Sequence, residues 1–123
     1  SGENRDSLRR IWLEQVTSTF NADTGALIWF NGDAEALEEA KVAGKLVRQG
    51  DAFSGVLRPE EMQALFKTEA LEGSAALTPI RLGGDVIGVI GVGSHDTQRY
   101  RPEDGTLFLD YMAEVIGQLP GCA

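Results

Sequence analysis

The sequence predicts an α+β fold, one antiparallel sheet between helices, and three observations carry that prediction. Residues 74–82 (SAALTPIRL) and 85–93 (DVIGVIGVG) are two strand-like runs joined by Gly83-Gly84, a pair that accepts the positive φ of a tight hairpin turn. Both ends of the chain carry apolar residues at helical spacing. Residues 24–30 (TGALIWF) are apolar on both faces when read with the strand period of two, so that strand needs cover above and below. Strands adjacent in sequence tend to pair antiparallel, and helices supply the cover.

A first helix spans residues 6–20. Leu8, Ile11, Trp12, Gln15, Val16, Thr19 and Phe20 recur at spacings of three and four, the stripe of one helix face. Asp6 or Ser7 starts it, because a short side-chain oxygen accepts from the free amides of a first turn. Asn21 and Asp23 end it. In the strand at 24–30, Ala26, Ile28 and Phe30 share one face and Leu27 and Trp29 the other. Apolar on both, it is expected at the centre of the sheet. Asn31-Gly32-Asp33 reads as a turn, and Asp33 caps a second helix over 34–48. Leu37, Ala40, Ala43 and Val47 give that helix a weak period, and Gly44 costs it about 1 kcal/mol against alanine. Gly50 stops it.

Residues 52–57 form a short edge strand. Pro59 opens a short helix, where a missing amide does no harm. Glu60 and Glu61 sit at its positive end, and Met62, Leu65 and Phe66 face inward. Within the hairpin, Pro79 cannot donate to a ladder and predicts a gap or bulge. Gly88, Gly91 and Gly93 strip side chains from the second hairpin strand, so something passes close to it: a packed helix, a ligand or a partner chain. A polar loop covers 94–101. Pro102 opens the last helix, with Glu103 and Asp104 in its first turn. Its stripe is Leu107, Phe108, Tyr111, Val115 and Leu119, with Met112 and Ile116 beside it, and Pro120-Gly121 stops it.

The 123 residues are expected to form one domain over 1–123 and can bury a core without staples. No apolar run approaches the roughly twenty residues of a membrane helix, and no secretory signal pattern opens the chain; a cytoplasmic protein is expected. Nineteen acids against eleven bases give a net charge of −8. That balance repels nucleic acid and anionic membranes, which are bound through Lys and Arg. Arg5, Arg9 and Arg10 read as a solvated helix face. Cys122 is the only cysteine and cannot form an internal disulfide. His95 is the only histidine, so the usual four-ligand zinc site cannot be built, and no nucleophile elbow accompanies it. No catalytic residue, metal or cofactor is expected, and the chain does not read as an enzyme.

Residues 73–116, GSAALTPIRLGGDVIGVIGVGSHDTQRYRPEDGTLFLDYMAEVI, resemble a GAF domain, the small sensory module of many signalling proteins. Within that group they resemble the bacterial GAF-like domain of unknown function family 484. The hairpin is followed by Ser94-x-Asp96, then Tyr100-x-Pro102, then Gly105-Thr106-x-Phe108-Leu109. Residues 46–66, LVRQGDAFSGVLRPEEMQALF, resemble the stretch before it. The resemblance implies a central antiparallel sheet with the first and last helices together on one face. The middle of the chain then closes a pocket on the other face. It implies a sensory or regulatory role in bacterial signalling, with small ligands in some relatives and pairing through the terminal helices. A helical segment usually precedes such a domain, so the chain is expected to be part of a longer one. One departure stands out: a GAF domain usually hairpins a strand directly onto the first one, whereas 31–48 reads helical here, which implies a trimmed pocket. The methionine sulfoxide reductase type needs several cysteines, covalent bilin attachment needs a thiol at the pocket, and the cyclic-nucleotide type carries an Asn-Lys-x-Asp-Glu motif; none of these is present.

The expected function is a non-catalytic sensory or regulatory domain that binds a small ligand, a protein partner or both. The alternative is a dimerisation module with no ligand; an enzyme is the reading from another class. The expected pocket combines Phe53, Leu57, Met62 and Phe66 with Trp29, favoured over Ile28, and with Thr78 and Arg81 as its polar groups. One arginine among aromatics suits an anionic or planar ligand. A homodimer is expected through Leu8, Ile11, Trp12, Phe108, Tyr111, Val115 and Leu119, which exceed what one sheet face needs. Ser94, Asp96, Tyr100 and Thr106 are read as structural, satisfying loop amides and pinning the last helix.

Overall fold

The computed structural model describes residues 2–18, 22–30 and 37–119. Along the chain come α1 (Gly2–Ser18), β1 (Thr24–Trp29), α2 (Leu37–Leu46), β2 (Phe53–Leu57), α3 (Pro59–Phe66), β3 (Gly73–Leu82), β4 (Asp85–Ser94) and α4 (Leu107–Gly117), with 3-10 turns at Arg48–Gly50 and Pro102–Asp104. The strands form one antiparallel sheet in the order β1-β4-β3-β2. The terminal helices α1 and α4 cover one face; α2 and α3 cover the other. Among the described residues no helix is long and apolar enough to cross a membrane.

The β3–β4 hairpin runs in register from Ser74↔Ser94 to Leu82↔Asp85. Gly83 and Gly84 close it at φ 60 and 91, the left-handed region that side chains resist. Nothing lies within 4 Å of a Cβ built on either glycine, so a side chain there meets backbone strain and no crowding. Gly84→Val is expected to lower stability by about 1 kcal/mol or more, read as a thermal midpoint several degrees lower; an unchanged midpoint would mean a different turn. Pro79 is tolerated because β2 stops opposite Leu77, two residues short of it, and a register shift follows between Ile80 and Arg81.

The alternation expected in β1 holds, but its place in the sheet does not. Leu27 and Trp29 pack under the terminal helices, and Ala26 and Ile28 face α2 and α3, yet β1 is an edge strand paired with β4. Two apolar faces report layers above and below a strand, not neighbours on both sides. The Leu27 carbonyl accepts from Arg9 Nε at 2.9 Å, and the Arg5 guanidinium lies 4.8 Å from the centre of the Trp29 ring. Arg5 and Arg9 therefore pack on β1; of the three arginines read as solvated, Arg10 is the exposed one.

Both terminal helices differ from expectation. α1 begins at Gly2, ahead of Asp6 and Ser7, since no proline interrupts those residues. The last helix does not begin at Pro102. Pro102–Asp104 closes as a 3-10 turn, Gly105 turns the chain at φ 74, and α4 starts at Leu107. The inward face of α4 is Leu109, Ala113 and Ile116, with Met112 half-buried, and Phe108, Tyr111, Val115 and Leu119 of the expected stripe are exposed, as a surface meant for a partner would be. α2 is the described part of the helix expected over 34–48, and Arg48–Gly50 tightens into a 3-10 turn. The expected turn at Asn31–Asp33, the helix end at Thr19–Asn21, the Pro120-Gly121 stop and Cys122 lie outside the described residues.

Candidate functional site

The expected pocket is not assembled as a pocket. Leu57 and Met62 are fully buried, Phe66 is buried and Phe53 half-buried, all in the layer formed by α2, α3 and the sheet. They share that layer with Ile28, Ala75, Leu77 and Val89. The Phe66 ring lies on Gly93, where an added Cβ would come within 2.6 Å of it. A packed helix is thus what the missing side chain at Gly93 admits. Trp29 belongs to the opposite face, 3% exposed under α1. The preference for Trp29 over Ile28 is reversed, because the odd-numbered residues of β1 turn toward the terminal helices. The Trp29 indole N–H is buried and has no hydrogen-bond partner among the described residues.

Thr78 also faces the terminal helices, and Arg81, just past the register shift, reaches the same groove. The two meet in a groove of about 450 Å³ between α4, β3 and the 3-10 turn at Arg48–Gly50. Arg81 Nη2 donates to the Gly50 carbonyl. Asp51, Asp110 and Glu114 line the rest, with no aromatic ring among the lining residues. Three carboxylates beside one guanidinium oppose an anion, so the anionic or planar ligand expected for Arg81 has no matching surroundings.

The loop before α4 is held by a compact network. The buried Ser74 Oγ donates to the Asp96 carbonyl at 2.7 Å and accepts from the Tyr100 amide at 3.0 Å. Ser94 Oγ donates to Asp23 Oδ2 and accepts from the Asp96 amide. Asp96 Oδ1 accepts from the Gln98 amide at 2.9 Å. Asp110 Oδ1 accepts from Thr78 Oγ1 at 2.9 Å and Thr106 Oγ1 at 3.0 Å, tying α4 to the sheet. Burial pushes the Tyr100 phenol above its ordinary range, against the lowering effect of Arg99. Ser74 and Asp110 were not legible as anchors; only the four-residue spacing from Thr106 to Asp110 hinted at one of them. Ser74→Ala is expected to cost about 1–3 kcal/mol, since it strands buried groups, and Asp96→Ala about 0.5–1.5 kcal/mol. Chemical denaturation checks that order, and an unchanged midpoint for both would remove the network from the stability of the loop.

His95 is exposed, with Nε2 3.0 Å from Thr68 Oγ1 and Nδ1 3.4 Å from the Glu72 carbonyl. Among the described residues no three His, Cys, Asp or Glu side chains converge as a metal site.

Most of the exposed large apolar side chains among the described residues belong to α1 and α4, while Val56, Leu71 and Leu82 are exposed elsewhere. Leu107 is 85% exposed, Tyr111 66% and Phe108 50%; Val115, Leu119 and Ile11 are exposed too. Arg9 and Leu13 line a groove along β1. Helical geometry then puts Leu8 and Ile11 on the other flank of α1, the one toward α4. Asp110 and Glu114 line the Arg81 groove on the far flank of α4. By the same spacing, Phe108, Met112 and Val115 lie on the flank toward α1. The result is an apolar seam crowned by Tyr111. Trp12 does not belong to it: 3% exposed, its indole N–H donates to the Gly91 carbonyl at 3.2 Å. Leu8 is half-buried against the same core.

A family model described as a protein of unknown function, DUF484, matches residues 8–121. No curated protein matches the chain.

Proposed function

From the premise that the chain belongs to the DUF484 family, we propose that it is a non-catalytic, GAF-like regulatory domain that works by pairing through the outer face of α1 and α4. The observation that carries this reading is the contrast between the two sides of the sheet. The middle-segment side is filled by Leu57, Met62 and Phe66, while the terminal helices leave Phe108, Tyr111 and Val115 in water. A contiguous apolar surface rimmed by polar groups marks a contact with another protein. The order of elements, with both terminal helices on one sheet face, supports the GAF-like reading. The helix that follows β1 in place of a hairpinned strand fits a domain with a reduced pocket.

A domain of this kind passes a signal by changing how its end helices pack, and α1 and α4 are those helices. Native mass spectrometry of the freshly purified protein tests the reading. A species of twice the 13.3 kDa chain mass with no retained small molecule is expected. A monomer that retains a small mass would reverse the reading in favour of a ligand sensor.

A further inference from the structure

The groove at the start of α4 gives the pairing surface a definite shape. It has a volume of about 290 Å³, several times the roughly 30 Å³ share of one water. Ala76 and Val92 of the sheet line it together with Tyr100 and Leu109, and Arg99 and Asp104 line it as its charged groups. Leu107 lines the same groove, yet is 85% exposed as the first residue of α4. An apolar projection and an apolar hollow therefore sit side by side on one surface, next to one positive and one negative charge.

A twofold pair brings the same patch of both copies together, so the patch must complement itself. This one can. An axis passing between Arg99 and Asp104 sets each against the opposite charge of the other copy, whereas an axis through either residue would oppose like charges. Each chain carries a net charge of −8, and local pairing of opposite signs offsets the repulsion between two copies.

We infer that, in the pair read above as the functional unit, Leu107 of each copy seats in the groove beneath α4 of the other, with Arg99 of each facing Asp104 of the other. This rests on the pairing reading and adds to it the register of the two copies. The partner is a second copy of this chain, and the contact continues the seam through Phe108, which lines the same groove.

Sedimentation velocity over a dilution series tests it, on the wild type, Leu107→Ser, Arg99→Glu, Asp104→Arg, the Arg99→Glu/Asp104→Arg double variant and Tyr111→Glu. Each change occurs twice in the pair. A loss of about tenfold per site then multiplies to about a hundredfold weaker association for Leu107→Ser. Each charge reversal is expected to weaken association about tenfold and the double variant to return within about threefold of wild type. Leu107 is almost wholly exposed, so its replacement leaves the fold intact and the test does not depend on the charge variants, of which Asp104→Arg also removes the acceptor of the Arg101 amide. Unchanged association in Leu107→Ser, or a double variant no better than its parents when all have native circular dichroism, overturns the inference. If Tyr111→Glu still dissociates the pair in that case, the pairing reading survives without this register. A wild type that stays monomeric at all concentrations overturns both.

Discussion

Phe66→Ala is expected to destabilise the chain by about 3–5 kcal/mol, among the largest effects of any single replacement. Phe66 closes the layer beneath α3, and its ring rests on β4 at Gly93, one of the three glycines of that strand. Removing the ring leaves a space that the fully buried Leu57, Met62 and Leu77 cannot fill without leaving their rotamers. The same contact predicts a compensation. Gly93→Ala in the wild type forces a methyl into the ring and destabilises. In the Phe66→Ala background the methyl enters vacated space and relieves the strand of a glycine, recovering about 0.5–1 kcal/mol. Urea denaturation of the four proteins gives the cycle. If Gly93→Ala has the same effect in both backgrounds, Phe66 does not lie on Gly93. A loss near 1 kcal/mol for Phe66→Ala would mean that this side of the sheet is loosely filled and open to a ligand after all.

Tyr111→Glu is expected to dissociate the pair, weakening association by about a hundredfold or more. Tyr111 stands at the crown of the seam with its ring largely in water, and aromatic residues buried in a contact carry a disproportionate share of its strength. A carboxylate there must be desolvated on an apolar surface, with Glu114 nearby on the same helix. The stability of the single chain is expected to move by no more than about 0.5 kcal/mol, because the site is exposed. Tyr111→Phe keeps the ring and is expected to keep the association. Light scattering at micromolar concentration separates these outcomes. A dimer mass for Tyr111→Glu would place the contact somewhere other than the outer face of α4.

The local elements of this protein are written in short stretches of its sequence. Gly83-Gly84 between two β-type runs specifies the hairpin because few residues tolerate both positive φ values. Pro59 followed by two glutamates specifies the start of α3, and the period of two assigns Leu27 and Trp29 to one side and Ala26 and Ile28 to the other. These are properties of neighbours along the chain. Which side faces which helix is not, since it depends on contacts such as Trp12 with Gly91 across 79 residues. The edge position of β1, the turning of Trp29 and Thr78 toward the terminal helices, and the filling of the other side by Phe66 were therefore decided only by the tertiary structure. The same holds for α4. The sequence showed that Leu107, Phe108, Tyr111, Val115 and Leu119 form a stripe and that the apolar surface exceeds what one sheet face needs, but not which arc of the helix the sheet would bury. Gly105 shifted the start of the helix, and the sheet took Leu109, Ala113 and Ile116. A helix with apolar residues over most of its circumference can bury either arc; packing against the sheet chose one, and the other became the surface available to a partner.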